Sequence, residues 1–176
     1  FLFLEEIKRN EKKIVYGNNS ASLVDLGDGI ACVEFHSALQ PRMNPIDEYI
    51  IEVMAKGVEI GERDFRGLVI HHQGENFSVG ANLLAVLEGI QANQWAGIDE
   101  MIRVFQGMTT GLRKAKIPVI TAPFAYTFGG GCEITMGGDR VCAAAETYIG
   151  LVEVGVGVIP AGGGCYFMLE RVLEGV

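Results

Sequence analysis

The first twenty residues carry little hydrophobic pattern. Lys8, Arg9, Lys12, Lys13, Asn18 and Asn19 make residues 1–20 polar and charged, which predicts a linker or loosely held lead-in. Two short apolar runs follow, at 21–26 and 30–35, divided by Gly27-Asp28-Gly29. Asp-Gly between β-favouring runs predicts a hairpin, because a two-residue turn needs positive φ at both central positions. Pro45 then opens a predicted helix, with Ile46, Ile50, Ile51, Val53, Met54 and Val58 recurring on one side at helical spacing. Residues 67–71 read as a short apolar strand. A loop with Gly74, Ser78 and Gly80 precedes a second helical pattern over 82–90. Residues 91–96 are polar, and 98–116 read as an amphipathic helix with Met101, Ile102, Phe105, Met108 and Leu112 inward. Pro118 starts another apolar strand, 119–122. The alternation of strands, loops and helices predicts an α/β fold with parallel strands covered on both faces.

Glycine changes this picture. There are 24 among 176 residues, about twice the usual ~7%. Eleven of them fall between Gly129 and Gly164, where the backbone must be under unusual geometric demand. Gly129-Gly130-Gly131 follows an expected strand and precedes 132–136, the expected first turn of a helix. N–H groups at a helix start have no intrahelical partner and lie at the positive end of the dipole. Glycines there let a ligand oxygen approach closely, as an oxyanion hole requires. A tight strand-to-helix turn would use the same triplet. The G-x-G-x-x-G spacing of a dinucleotide site is absent from it. The amide of Ala81, in Phe77-Ser78-Val79-Gly80-Ala81-Asn82, is a second candidate donor, from another glycine-containing loop that opens a helix.

Glu133 and Glu153 lie 20 residues apart, each embedded in apolar sequence. A carboxylate in such surroundings must be paired, hydrogen-bonded or functional. Two neighbouring carboxyls split their titrations, which suits a matched general acid and base. A helix-start glutamate or a structural ion pair would account equally for either one alone. Other features point to structure: His71-His72 as a strand end with one ring buried, His36 at the hairpin end, Asp139-Arg140 as a strand start with a local ion pair, and Cys132 as packing.

Apolar residues at 49% and charged residues at 20% describe a globular core that needs no disulfide or metal staple. The net charge of −8 argues against a nucleic-acid footprint. The longest uncharged stretches, 117–132 and 154–169, are too short for a membrane span and are broken by Pro and Gly. The four cysteines, Cys32, Cys132, Cys142 and Cys165, match no metal-ligand spacing and read as buried thiols in a reducing, cytoplasmic compartment. The start lacks both Met and the basic segment of a signal peptide, which leads us to expect a domain cut from a longer polypeptide.

Taken together, the stretches 77–82, 117–136 and 148–164 resemble the crotonase (enoyl-CoA hydratase/isomerase) superfamily. The carriers are Gly129-Gly130-Gly131-Cys132-Glu133 and Gly150…Glu153…Gly157-Val158-Ile159-Pro160-Ala161-Gly162-Gly163-Gly164. With Phe124-Ala125 and 144–157, the chain is most similar to the hydratase-type domain fused behind a 3-hydroxyacyl-CoA dehydrogenase in bifunctional β-oxidation proteins. The resemblance implies a ClpP/crotonase spiral of ββα units over 21–176, a lead-in over 1–20 from an upstream dehydrogenase domain, and a trimer-based homo-oligomer. It implies oxyanion-hole amides at Ala81 and Gly130, catalytic Glu133 and Glu153 holding a water between them, and substrate lined by Ser78, Gly80, Gly129 and Gly131. No metal or cofactor is expected in this domain: CoA is part of the acyl-CoA substrate, and NAD belongs only to a fused dehydrogenase. The activity implied is hydration of a 2-enoyl-CoA, with Δ3-Δ2 isomerisation or a non-catalytic acyl-CoA-binding module as the alternatives. Asn82, Pro123, Ala125 and Leu151-Val152 depart from the family's commoner Asp, Asn, Gly and Gln-Pro, which bears on the acyl pocket. The family's usual length extends beyond Val176, with C-terminal helices that complete pocket and trimer.

Overall fold

The computed structural model describes residues 3–175. Residues 4–20 are not the loose lead-in that their composition predicts. Helix α1 (Leu4–Lys8) buries Leu4, and the Lys8 ammonium reaches Glu34 at 2.8 Å. A 3-10 turn at Glu11–Lys13 leads into β1 (Ile14–Gly17), which pairs antiparallel with β2 (Ala21–Gly27). The added strand satisfies the backbone groups that the β2 edge would otherwise leave open, a gain that polarity alone does not reveal. β2 then turns through Asp28 (φ 52) and Gly29 (φ 75) into antiparallel β3 (Ile30–Phe35), as the Asp-Gly signal predicts.

Helix α2 (Glu48–Asp64) starts later than Pro45 suggests. Asp47 is its cap, with Oδ1 accepting from the Ile50 N–H at 2.8 Å, and Ile46 instead bridges to Ala81. Its apolar face, including Ile50, Val53 and Met54, is fully buried against the sheet. Strand β4 (Gly67–Ile70) lies parallel to β3. Helix α3 (Leu83–Gln91), capped by Asn82, buries no residue. Helix α4 (Trp95–Arg113) begins earlier than its pattern predicts and buries Met108, Thr109 and Leu112. Met101, expected inward, is 39% exposed, because α4 packs on α2 and on the helix after the glycine triplet through its second half.

Strands β5 (Val119–Thr121) and β6 (Tyr126–Phe128) lead to α5 (Gly130–Gly137), then β7 (Arg140–Val141), β8 (Tyr148–Gly150), a 3-10 turn at Glu153–Val156 and α6 (Gly164–Glu174). The main sheet has the order β1-β2-β3-β4-β5-β7, parallel from β3 onward, and β6 pairs with β8 in a second small sheet. One core joins Leu23, Val33, Phe35, Leu68, Ile70 and Phe77 to α2 and α4. A smaller cluster of Cys132, Met136 and Phe167 joins α5 to α6.

Two local expectations change. Cys32 and Cys132 are buried, but Cys142 and Cys165 are exposed, since they follow the short edge strand and open the outer helix. Asp139 and Arg140 form no ion pair among the described residues. The Asp139 carboxylate accepts from the Val119 N–H at 2.8 Å, joining the β7 start to β5. Among the described residues no helix is long and apolar enough to cross a membrane.

Candidate active site

Two glycine-built turns are zipped together by their backbones. Ser78 bridges to Thr127: its N–H donates to the Tyr126 carbonyl at 3.0 Å, and its carbonyl accepts from the Phe128 N–H at 2.9 Å. The chain then turns at Gly80 (φ 92) on one side and at Gly129 (φ 52) on the other. A Cβ on Gly80 would stand 2.9 Å from the Gly130 nitrogen, and one on Gly131 would stand 2.8 Å from the Ser78 carbonyl oxygen. Only backbones without side chains approach this closely. The turns deliver two N–H groups, from Ala81 and Gly130, that have no protein acceptor among the described residues. The first precedes α3 and the second opens α5, so helix dipoles reinforce both. Sequence reasoning named both donors, and the fold brings their loops together.

Ser78 plays a different part from the expected one. It is fully buried, its hydroxyl donates to the Asn44 carbonyl at 2.8 Å, and its oxygen accepts from the Gly80 N–H at 3.1 Å. With its hydroxyl engaged inside the protein, it braces the Ala81 turn and is not free for a ligand. Asn44, which sequence reasoning missed, backs this brace. Buried at φ 49, its side chain accepts from the Ser37 N–H at 2.6 Å and donates to the Phe77 carbonyl at 2.9 Å. The Asn44-Pro45 dipeptide, a turn signal, could have marked it.

The two glutamates converge on the same turns. Glu133, in the first turn of α5, is 2% exposed, and its Oε1 accepts from the Gly164 N–H at 2.8 Å. A Cβ on Gly162 would collide with Glu133 Oε2 and the Phe105 ring, so that glycine is what admits the carboxyl. Burial pushes the Glu133 carboxyl above the usual carboxylate range, and the charge of Glu153 adds to the effect. The amides of Gly164 and Gly162 oppose it. Glu153 opens the second 3-10 turn, with Oε1 3.2 Å from where a Cβ on Gly129 would sit. Its Oε2 is buried and has no hydrogen-bond partner among the described residues. The same surroundings push the Cys132 thiol up to about 11, chiefly by burial, so it stays an unreactive packing group.

The histidines stand apart. His36 Nδ1 lies 2.8 Å from Glu34, His71 Nδ1 lies 2.9 Å from the Ala122 carbonyl, and His72 is the buried ring of the pair. What remains is a pair of amides that can polarise a carbonyl, with two carboxyls beside them that can move protons at neighbouring atoms.

Residues 25–174 match the profile of the enoyl-CoA hydratase/isomerase family. A Bacillus subtilis protein named "Probable 3-hydroxyacyl-CoA dehydrogenase" is 44% identical over 163 residues, 93% of this chain and 20% of its own length. A Rickettsia prowazekii protein provisionally named a "fatty acid oxidation complex trifunctional enzyme" is 29% identical over 92% of this chain and 22% of its own. Among solved structures, Pseudomonas aeruginosa DspI matches with a TM-score of 0.73 at 26% identity, over 86% of this chain and 60% of that one. An enoyl-CoA hydratase from Polaromonas sp. JS666 matches with a TM-score of 0.77 at 19% identity, over 86% and 58%, a likeness of fold. The chain thus spans about a fifth of the curated relatives' length and under two thirds of the solved structures. With nearly its whole length matched, the chain belongs to the enoyl-CoA hydratase/isomerase family and has the crotonase fold, a spiral of ββα units.

Proposed function

We propose that the protein is an enoyl-CoA hydratase, adding water to the C2–C3 double bond of a 2-enoyl-CoA thioester. The observation that carries this reading is the meeting of the Gly80 and Gly129 turns with both Glu133 and Glu153. The thioester oxygen would accept from the Ala81 and Gly130 N–H groups. Negative charge collects on that oxygen as a water oxygen bonds to C3, and each fixed donor stabilises it by roughly 3–4 kcal/mol, by analogy with other oxyanion holes. Glu133 takes the proton that the water gives up, and Glu153 delivers one to C2 from the same side, a syn addition. Exchange with solvent then returns the proton from Glu133 to Glu153. The Gly164 N–H, which donates to Glu133 Oε1, supports the ionised form that accepts this proton, against the burial that disfavours it. Isomerisation needs a single proton shuttle, so the presence of both carboxyls favours hydration.

The relatives support a wider proposal. A 3-hydroxyacyl-CoA product is the substrate of a dehydrogenase, and the Bacillus relative carries that name on a far longer chain. We place this domain beside such a partner in fatty-acid β-oxidation, with NAD bound there and not here, as a trimer-based cytoplasmic assembly. The test is hydration of crotonyl-CoA by Glu133→Gln and Glu153→Gln variants. Each should fall by at least ~10²-fold while thioester binding persists. Near-full hydration in both overturns the two-carboxylate mechanism. Isomerisation of a 3-enoyl-CoA without hydration assigns the alternative chemistry, and binding with neither reaction assigns an acyl-CoA-binding module.

A further inference from the structure

The segment that grips Glu133 is itself held from across the site by helix α4. Gln106 Nε2 donates to the Ala161 carbonyl at 2.6 Å, and the Thr109 hydroxyl donates to the Gly162 carbonyl at 2.6 Å. Both acceptors lie in the glycine run whose Gly164 N–H donates to Glu133 Oε1. Glycines cannot fix that run by their own conformational preferences. Thr109 is fully buried, and α4 supplies the anchoring from a different part of the chain. We infer that Thr109, assisted by Gln106, is a positioning residue that sets the proton affinity of Glu133 by holding the 161–164 segment against its carboxyl.

The groups facing Glu133 restrict what else could set that affinity. Glu153 approaches from the 3-10 turn, and Cys132 stands beside it on α5 with its thiol held neutral. From α6, Arg171 acts on Cys132, and Glu170 is taken by Arg113 of α4, at 2.9 Å. From the middle of α4 the half-buried Phe105 ring faces the carboxyl and carries no charge, so the adjustable favourable contacts to the Glu133 carboxylate are the amides of Gly164 and Gly162. Loosening them withdraws hydrogen bonds from the charged form alone and raises the pKa.

Thr109→Val keeps the side chain's shape and removes the hydroxyl, and Thr109→Ser restores it. The inference rests on the hydratase reading only for the kinetic readout. Titration of the Glu133 carboxyl, followed by carbon NMR of labelled glutamate and assigned with Glu133→Gln, does not require activity. In Thr109→Val the Glu133 midpoint should move up by about one pH unit. The acidic limb of kcat for crotonyl-CoA hydration should move with it, and Thr109→Ser should match the parent in both. Gln106→Met, which leaves the Thr109 bond in place, should give a smaller upward movement. A Glu133 midpoint unmoved in folded Thr109→Val overturns the inference whatever the enzyme does. A moved midpoint in a protein that fails to hydrate crotonyl-CoA upholds the inference and removes the hydratase reading.

Discussion

Ser78 and Gly80 divide the work of shaping one turn. Gly80 supplies the backbone conformation and the space, while the Ser78 hydroxyl ties the Gly80 N–H to the Asn44 carbonyl. Ser78→Ala leaves both of those buried groups without the partner they have now, at a cost of about 1–3 kcal/mol. We expect urea unfolding to register that loss; on the proposed hydratase mechanism, crotonyl-CoA hydration should lose kcat with KM little changed, because the Ala81 N–H would be misplaced where charge is to develop. Unchanged stability together with unchanged kcat would show that the brace is not needed. Sequence marked this loop through its glycine and its place before a helix, but the direction of the Ser78 side chain depends on Asn44, 34 residues away. The same holds for Glu133. Its apolar neighbours foretold burial, whereas its Gly164 partner and its exclusion of any Cβ at Gly162 come from tertiary packing.

At the scale of elements, what was legible follows the length of the pattern. The hairpin, α2, α3 and α4 announce themselves through Asp28-Gly29 or through helical recurrence of apolar positions. The strand expected before the glycine triplet and the one expected at Asp139-Arg140 are present as β6 and β7, whereas β8, with three residues, is too short to display a period, and α6 lies behind a glycine run. β1 escaped because it is four residues long in a polar stretch, and what holds it, the ladder bonds to β2 and the packing of Tyr16 against the main core, is tertiary. Asp47 illustrates how one residue joins such elements. Its Oδ1 caps α2, while its Oδ2 accepts from the Ser20 hydroxyl at 2.7 Å, holding the β1–β2 connection against the helix start. Asp47→Ala should lower the unfolding free energy by about 1–2 kcal/mol in urea titrations, the cost of a lost cap. Asp47→Asn, which keeps an acceptor oxygen, should recover most of it, and an unaffected Asp47→Ala would show that the cap is redundant.

His72 is where the molecule's separate layers meet, so its ionisation acts on the whole fold. Its ring lies 4.7 Å from that of Phe35 in β3, 5.8 Å from that of Phe77 and 5.0 Å from that of Phe124 after β5. Nε2 stands 2.9 Å from both the Phe77 carbonyl and the Asn44 side-chain nitrogen. Burial among these rings lowers the His72 pKa to about 4, from 6.5 for the free side chain. The unfolded chain therefore takes up a proton at a pH where the folded one does not. The stability this neutral ring contributes is complete above pH 6.5 and is lost progressively as the pH falls toward 4. The loss amounts to about 3 kcal/mol. Carboxylates titrate over part of the same range in a chain with 22 of them, so the informative quantity is the difference between two proteins. Between pH 7 and pH 4.5 the parent should lose more unfolding free energy than His72→Gln, and proton NMR of the parent should show the His72 ring still neutral at pH 5. Equal losses in the two proteins, with the ring titrating near 6.5, would mean that water reaches this junction and that the layers are less firmly closed on one another than the packing of Phe35, Phe77 and Phe124 requires.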